Sequence, residues 1–78
     1  MTLEIKGIGK ITADKSTMNS IMVTLIEAKD FCDVMRVESE RNNDRISTKA
    51  FAHRVSEYSE NIDTIYNALC DKDFYKGV

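Results

Sequence analysis

Two stretches of this chain carry apolar stripes that match each other rung for rung. Between residues 16 and 42, Met18, Ile21, Met22, Leu25, Ala28, Cys32 and Met35 recur three or four positions apart, the spacing of one face of an α-helix. Between residues 47 and 72, Phe51, Val55, Tyr58, Ile62, Ile65 and Leu69 follow at intervals of 4, 3, 4, 3 and 4, which is a heptad seam. Folded back on each other, Met35 meets Phe51, Cys32 meets Val55, Ala28 meets Tyr58, Leu25 meets Ile62, Met22 meets Ile65 and Met18 meets Leu69. The residue numbers of each pair sum to 86 or 87, so a single register closes all six layers. An antiparallel two-helix hairpin is therefore expected, with Glu57, Glu60, Asn61, Asp63, Thr64 and Asn67 of the second helix facing water.

The ends of these segments carry turn chemistry. Asp14, Ser16 or Thr17 offers a side-chain oxygen to cap the first helix, and the polar run from Glu40 to Arg45 supplies the turn. Ser47 is the expected N-cap of the second helix, with Ile46 and Phe51 placed as a hydrophobic staple. Gly77 is a candidate left-handed residue beyond its end.

Residues 1–13 follow a different period. Leu3, Ile5, Gly7, Gly9, Ile11 and Ala13 alternate with a mainly polar set, which reads as a strand, or as a short hairpin turning near Gly7–Gly9. The expected fold class is thus α+β and mainly α: one small domain over 1–78, with a strand or hairpin at 1–13, helix one at 16–42 and helix two at 47–72. Helices of about 25 residues span roughly 38 Å, longer than the diameter of a compact domain of this size, so the molecule should be elongated.

A chain of 78 residues buries too small a core for more than a few kcal/mol of net stability without a supplement. Two cysteines, Cys32 and Cys70, make no disulfide framework. In the hairpin register they sit about 22 Å apart, beyond disulfide reach. With His53 as the only histidine, no Cys/His zinc pattern is available within the chain. His53 and Glu57 stand one turn apart, read here as a surface ion pair and not a metal site. Cys32, in a packed layer, reads as an inert thiol. No cofactor, metal or catalytic residue is expected, and the chain is read as non-enzymatic.

Self-association is the remaining supplement. Val23, Ile26, Phe31, Val34 and Val37 flank the seam of helix one and outnumber what one neighbouring helix covers, so either the N-terminal strand or another protein chain must cover them, and they are the expected interaction surface. A homodimer in which the first helices pack into a bundle follows, with a further protein partner. No apolar run reaches transmembrane length and no signal peptide is apparent, so no membrane partner and a cytoplasmic location are expected.

Nucleic-acid binding is the alternative function. The net charge is −2, with 11 basic and 13 acidic residues, which does not favour a phosphate-backbone partner. The segment Lys6-Gly7-Ile8-Gly9-Lys10-Ile11-Thr12-Ala13-Asp14-Lys15 nevertheless resembles the hairpin turn of the helix-hairpin-helix family. That resemblance implies phosphate contact through Gly7, Gly9 and Lys10. The strict alternation of residues 2–13 accounts for the same letters as a strand, and only six residues precede Gly7. The order strand, helix, helix is also similar to ribbon-helix-helix repressors, which implies Lys6 and Lys10 on an exposed strand face, although the helices here are longer. A basic tip of Arg41, Arg45, Lys49 and Arg54 is the other candidate nucleic-acid contact. A third reading places a small-ligand pocket at a subunit interface near Tyr58, Tyr66 and Tyr75.

Overall fold

The structure of the chain, a computed structural model, describes residues 1–70. It contains a β-hairpin of β1 (Thr2–Ile5) and β2 (Gly9–Thr12), followed by α1 (Lys15–Arg41) and α2 (Arg45–Leu69). The α+β, mainly helical architecture matches the sequence reading, and the N-terminal element is the hairpin and not a single strand. The molecule is elongated, with principal extents of 51 × 25 × 16 Å.

The strands pair antiparallel with Leu3 opposite Ile11 and Ile5 opposite Gly9, which keeps the apolar members of the alternation on one face. At the turn, the Ile8 amide donates to the Ile5 carbonyl at 3.0 Å. Gly7 takes φ 86°, the backbone sign that the third position of a type II turn demands and that a side chain resists.

The helices begin and end on identifiable caps. Asp14 caps α1, its carboxylate accepting from the Thr17 amide at 2.7 Å. The α1–α2 turn is three residues long. The Asn43 amide donates to the Glu40 carbonyl and the Asp44 amide to the Ser39 carbonyl, with Asn43 left-handed at φ 59°. This is a Schellman closure with Asn where glycine is usual. Asp44 then starts α2, accepting from the Ser47 amide at 3.1 Å. The expected Ser47 cap is therefore corrected to Asp44. An ionised carboxylate three residues ahead of a free amide captures it, which moves the helix start to Arg45. Ile46 falls inside the first turn and is 85% exposed, so the expected staple with Phe51 does not form. Tyr75, Gly77 and the expected end of helix two at residue 72 lie outside the described residues.

The core gathers at one end of the rods. Ile5, Met18, Leu25 and Ile65 form a buried cluster, against which Leu3, Ile11, Ala13, Ile21, Met22, Tyr58, Ile62 and Leu69 pack. Ile5, Met18 and Ile65 are fully buried, and removal of each such side chain from water contributes about 1.5–3 kcal/mol. Met22 and Ile65, paired in the sequence register, belong to this one cluster. The buried positions of α1 are Met18, Leu25, Cys32 and Ser39, an unbroken seven-residue repeat. Toward the α1–α2 turn the seam thins, and Met35, Phe51 and Val55 are only half-buried.

Candidate functional site

Helix α1 has two apolar faces. Its seven-residue repeat faces α2, while Val23, Ile26, Val34 and Val37 fall within an arc of about 80° on the opposite side, with Phe31 beyond its edge. The hairpin does not cover this outer face. Ile5 enters the seam between α1 and α2, and the strand that packs against a helix is β1 on α2. Phe31 is 64% exposed and Val34 66%, and Val23, Ile26 and Val37 are also exposed. Together these five side chains expose roughly 450 Å², comparable with the largest apolar patch of a typical soluble monomer, which is often a functional surface. The sequence anticipated that surplus and named either the strand or another chain as its cover. Among the described residues nothing covers it.

The basic candidates do not converge on one surface. The Lys6 ammonium is held 3.0 Å from the Glu60 carboxylate, and that hydrogen bond and charge raise its pKa. Lys10 stands on β2, opposite Glu4. At the other end of the molecule, Arg41 pairs with Glu38 at 3.6 Å. Arg45 and Lys49 share one side of α2 and line an open depression of about 330 Å³ with Glu40, Asn43 and Thr48. Arg54 lies nine residues beyond Arg45, half a helical revolution away. Of the four expected at the tip, the structure therefore joins only Arg45 and Lys49, and a carboxylate shares their depression.

Residues suited to catalysis or metal binding are likewise dispersed. Cys32 is buried and Cys70 exposed, and both are free thiols. His53 stands 3.7 Å from Glu57 on the surface of α2. Among the described residues no group of three His, Cys, Asp or Glu side chains is placed to hold a metal ion. Tyr58 packs against the core, Tyr66 is exposed, and Tyr75 lies outside the described residues. No helix among those described is long and apolar enough to cross a membrane.

Sequence reasoning missed the contact that docks the hairpin. Asn61, expected to face water, is 3% exposed. The Lys6 amide donates to Asn61 Oδ1 at 2.9 Å, and Asn61 Nδ2 donates to the Lys6 carbonyl at 3.0 Å. Both backbone groups at the tip of the hairpin are thereby satisfied by one side chain. Glu57, also assigned to solvent, is half-buried. Its Oε1 comes so close to Gly7 that a Cβ there would stand 2.9 Å away. The correction has one cause: the hairpin folds over a flank of α2 next to its heptad seam, and periodicity within α2 carries no signal of that second neighbour. The one available clue was an Asn immediately before a seam residue, Ile62.

No protein-family model matches the chain, and no curated protein or solved structure shows significant similarity to it.

Proposed function

We propose that this chain is a non-enzymatic protein–protein interaction or regulatory module that self-associates as a homodimer through its helical hairpin. The observation that carries the reading is the apolar outer face of α1, a second hydrophobic stripe on a helix whose first stripe is already paired. In water such a face favours association, since burying it on a neighbour removes apolar surface from solvent. Packing two α1 helices together yields a coiled-coil-like bundle of four helices, α2–α1 against α1–α2. We place the module in the cytoplasm, where a reducing environment keeps both thiols free.

Sedimentation velocity over a concentration series tests this. The wild-type chain sediments as a dimer at micromolar concentration, and Val34→Lys, which sets a charge in the exposed stripe without touching the core, sediments as a monomer. A wild-type monomer throughout the series overturns the reading.

A second reading, binding of nucleic acid, is favoured by one observation. Arg45 and Lys49 line the depression at the α1–α2 turn, and neither makes an ion pair among the described residues. Affinity for DNA or RNA that falls steeply with added salt and is lost in Arg45→Ala/Lys49→Ala supports it. Absence of binding at low salt removes it.

A further inference from the structure

The outer stripe of α1 is palindromic about Asp30. Val23 and Val37 stand seven residues to either side of it, and Ile26 and Val34 stand four to either side. Intervals of four and seven are those that return to one helical face. Asp30 is therefore central in the arc of the stripe and central along its length, and it is exposed. We infer that the occupant of this face is a second copy of the chain, packed antiparallel through α1 with its two-fold axis at Asp30, so that the two Asp30 carboxylates meet. This rests on the self-association reading and adds the register, the orientation and the group that controls them.

A two-fold interface must be self-complementary, with residue i meeting j and j meeting i. About the proposed axis Val23 meets Val37 of the second copy and Ile26 meets its Val34, each contact occurring twice. A pattern symmetric about one residue suits an identical helix running the other way. Two such faces, Phe31 included, offer at most about 900 Å², so polar atoms of the rim must supply the remainder of the roughly 1,200 Å² that a specific interface buries. The antiparallel arrangement sends the two β-hairpins to opposite ends, where they do not collide.

Asp30 is the one ionisable group within the arc of the stripe, and a single polar residue in an apolar seam sets register at a cost in affinity. No basic side chain of the stripe offsets it. Its flanking neighbours Glu27 and Asp33 are acidic, and the same three residues of the second copy face it across the axis. The nearest basic groups are turned elsewhere: Arg36 is hydrogen-bonded to Asp33, Lys29 is half-buried on the side toward α2, and Arg41 lies at the end of the stripe, where it would meet Asn19. Helix α2 lies behind α1, so its His53–Glu57 pair does not face the axis. Charge repulsion between the two Asp30 carboxylates therefore opposes the dimer, and does so less as added salt screens it.

The test is the dimer dissociation constant by sedimentation equilibrium at neutral pH in low and high salt, with helix content followed by circular dichroism. The expected result is that Asp30→Asn tightens the dimer about tenfold in low salt and by less in high salt. Asp30→Lys places an ammonium among the Glu27 and Asp33 carboxylates of both copies and tightens its own homodimer relative to wild type in low salt. In an equal mixture of Asp30→Lys and wild-type chains, mixed dimers exceed their statistical share, because opposite charges then meet at the axis. A wild-type dimer lost in Val34→Lys but unchanged in affinity and salt response by Asp30→Asn, with no preference for mixed dimers, overturns the Asp30 axis and leaves self-association standing. Monomers for every variant at both salt concentrations overturn both.

Discussion

The side chain of Asn61 on α2 closes a two-bond bridge on the backbone of Lys6, at 2.9 and 3.0 Å, 55 residues away in the chain. The amide presents one acceptor and one donor in the order that a neighbouring peptide group would, so it takes the place of a third strand at the hairpin tip. An isolated two-stranded hairpin is marginal in water. Here Ile5 in the core and Asn61 at the tip hold it to the helices.

Asn61→Ala removes both bonds and leaves the Lys6 amide and carbonyl without partners. Chemical denaturation should show a loss of about 1–3 kcal/mol. Asn61→Asp keeps an acceptor for the Lys6 amide but sets a carboxylate against the Lys6 carbonyl. At neutral pH it should be the less stable of the two variants. On acidification it should recover relative to Asn61→Ala, because a protonated carboxyl donates to that carbonyl.

The α1–α2 turn makes a second, local test. Asn43 holds φ 59°, a conformation open to Gly and tolerable to Asn but opposed by a β-branched side chain. Asn43→Gly should leave stability within about 0.5 kcal/mol of wild type, its relief of strain offset by a freer unfolded chain. Asn43→Val should lower it by about 1–2 kcal/mol.

Acid stability should track the two helix caps. The Thr17 amide holds the Asp14 carboxyl below its ordinary pKa, and the Ser47 amide does the same for Asp44. A group depressed in the folded state stabilises it fully above the unfolded pKa and loses that contribution as pH falls through the folded value. Stability measured across the window below about pH 4 should therefore decline with acid. In Asp14→Asn/Asp44→Asn, capping persists without a titrating group, and the decline over that window should be shallower.

Thiol reactivity should separate the two cysteines. Cys70 is exposed and Cys32 buried in the helical seam. Under native conditions a thiol reagent should modify Cys70 rapidly and Cys32 only at the rate of opening of the α1–α2 seam. Complete modification of both at one fast rate in the native protein would contradict the packing at Cys32.

The core should respond unevenly along the rods. Ile65→Ala empties a fully buried site beside Ile5 and Met18 and should cost about 2–5 kcal/mol, most of the stability of a domain this small. Phe31→Ala, on the exposed outer face, should leave monomer stability nearly unchanged, so any effect on thermal unfolding would grow with protein concentration.

The helical hairpin and its seam were legible because they are local and periodic. Met18, Leu25 and Cys32 on α1 and Ile65 on α2 announce their burial through spacing alone, and the surplus stripe from Val23 to Val37 is visible the same way. The three-residue turn was legible only as a polar run. Which residue caps α2 depended on competition between Asp44 and Ser47 for one helix start, and the Schellman closure at Asn43 settled it.

What the residues decided unaided is therefore the pair of amphipathic helices, their antiparallel sense and the alternating apolar face ahead of them, because each follows from a repeat within a short span of chain. Tertiary structure alone decided where the hairpin docks, that Asn61 and Glu57 leave solvent to receive it, and that Lys6 and the basic tip are not one surface. Those outcomes arise from contacts between segments more than 50 residues apart, where the partner of a polar side chain is set by packing and leaves no period in the sequence.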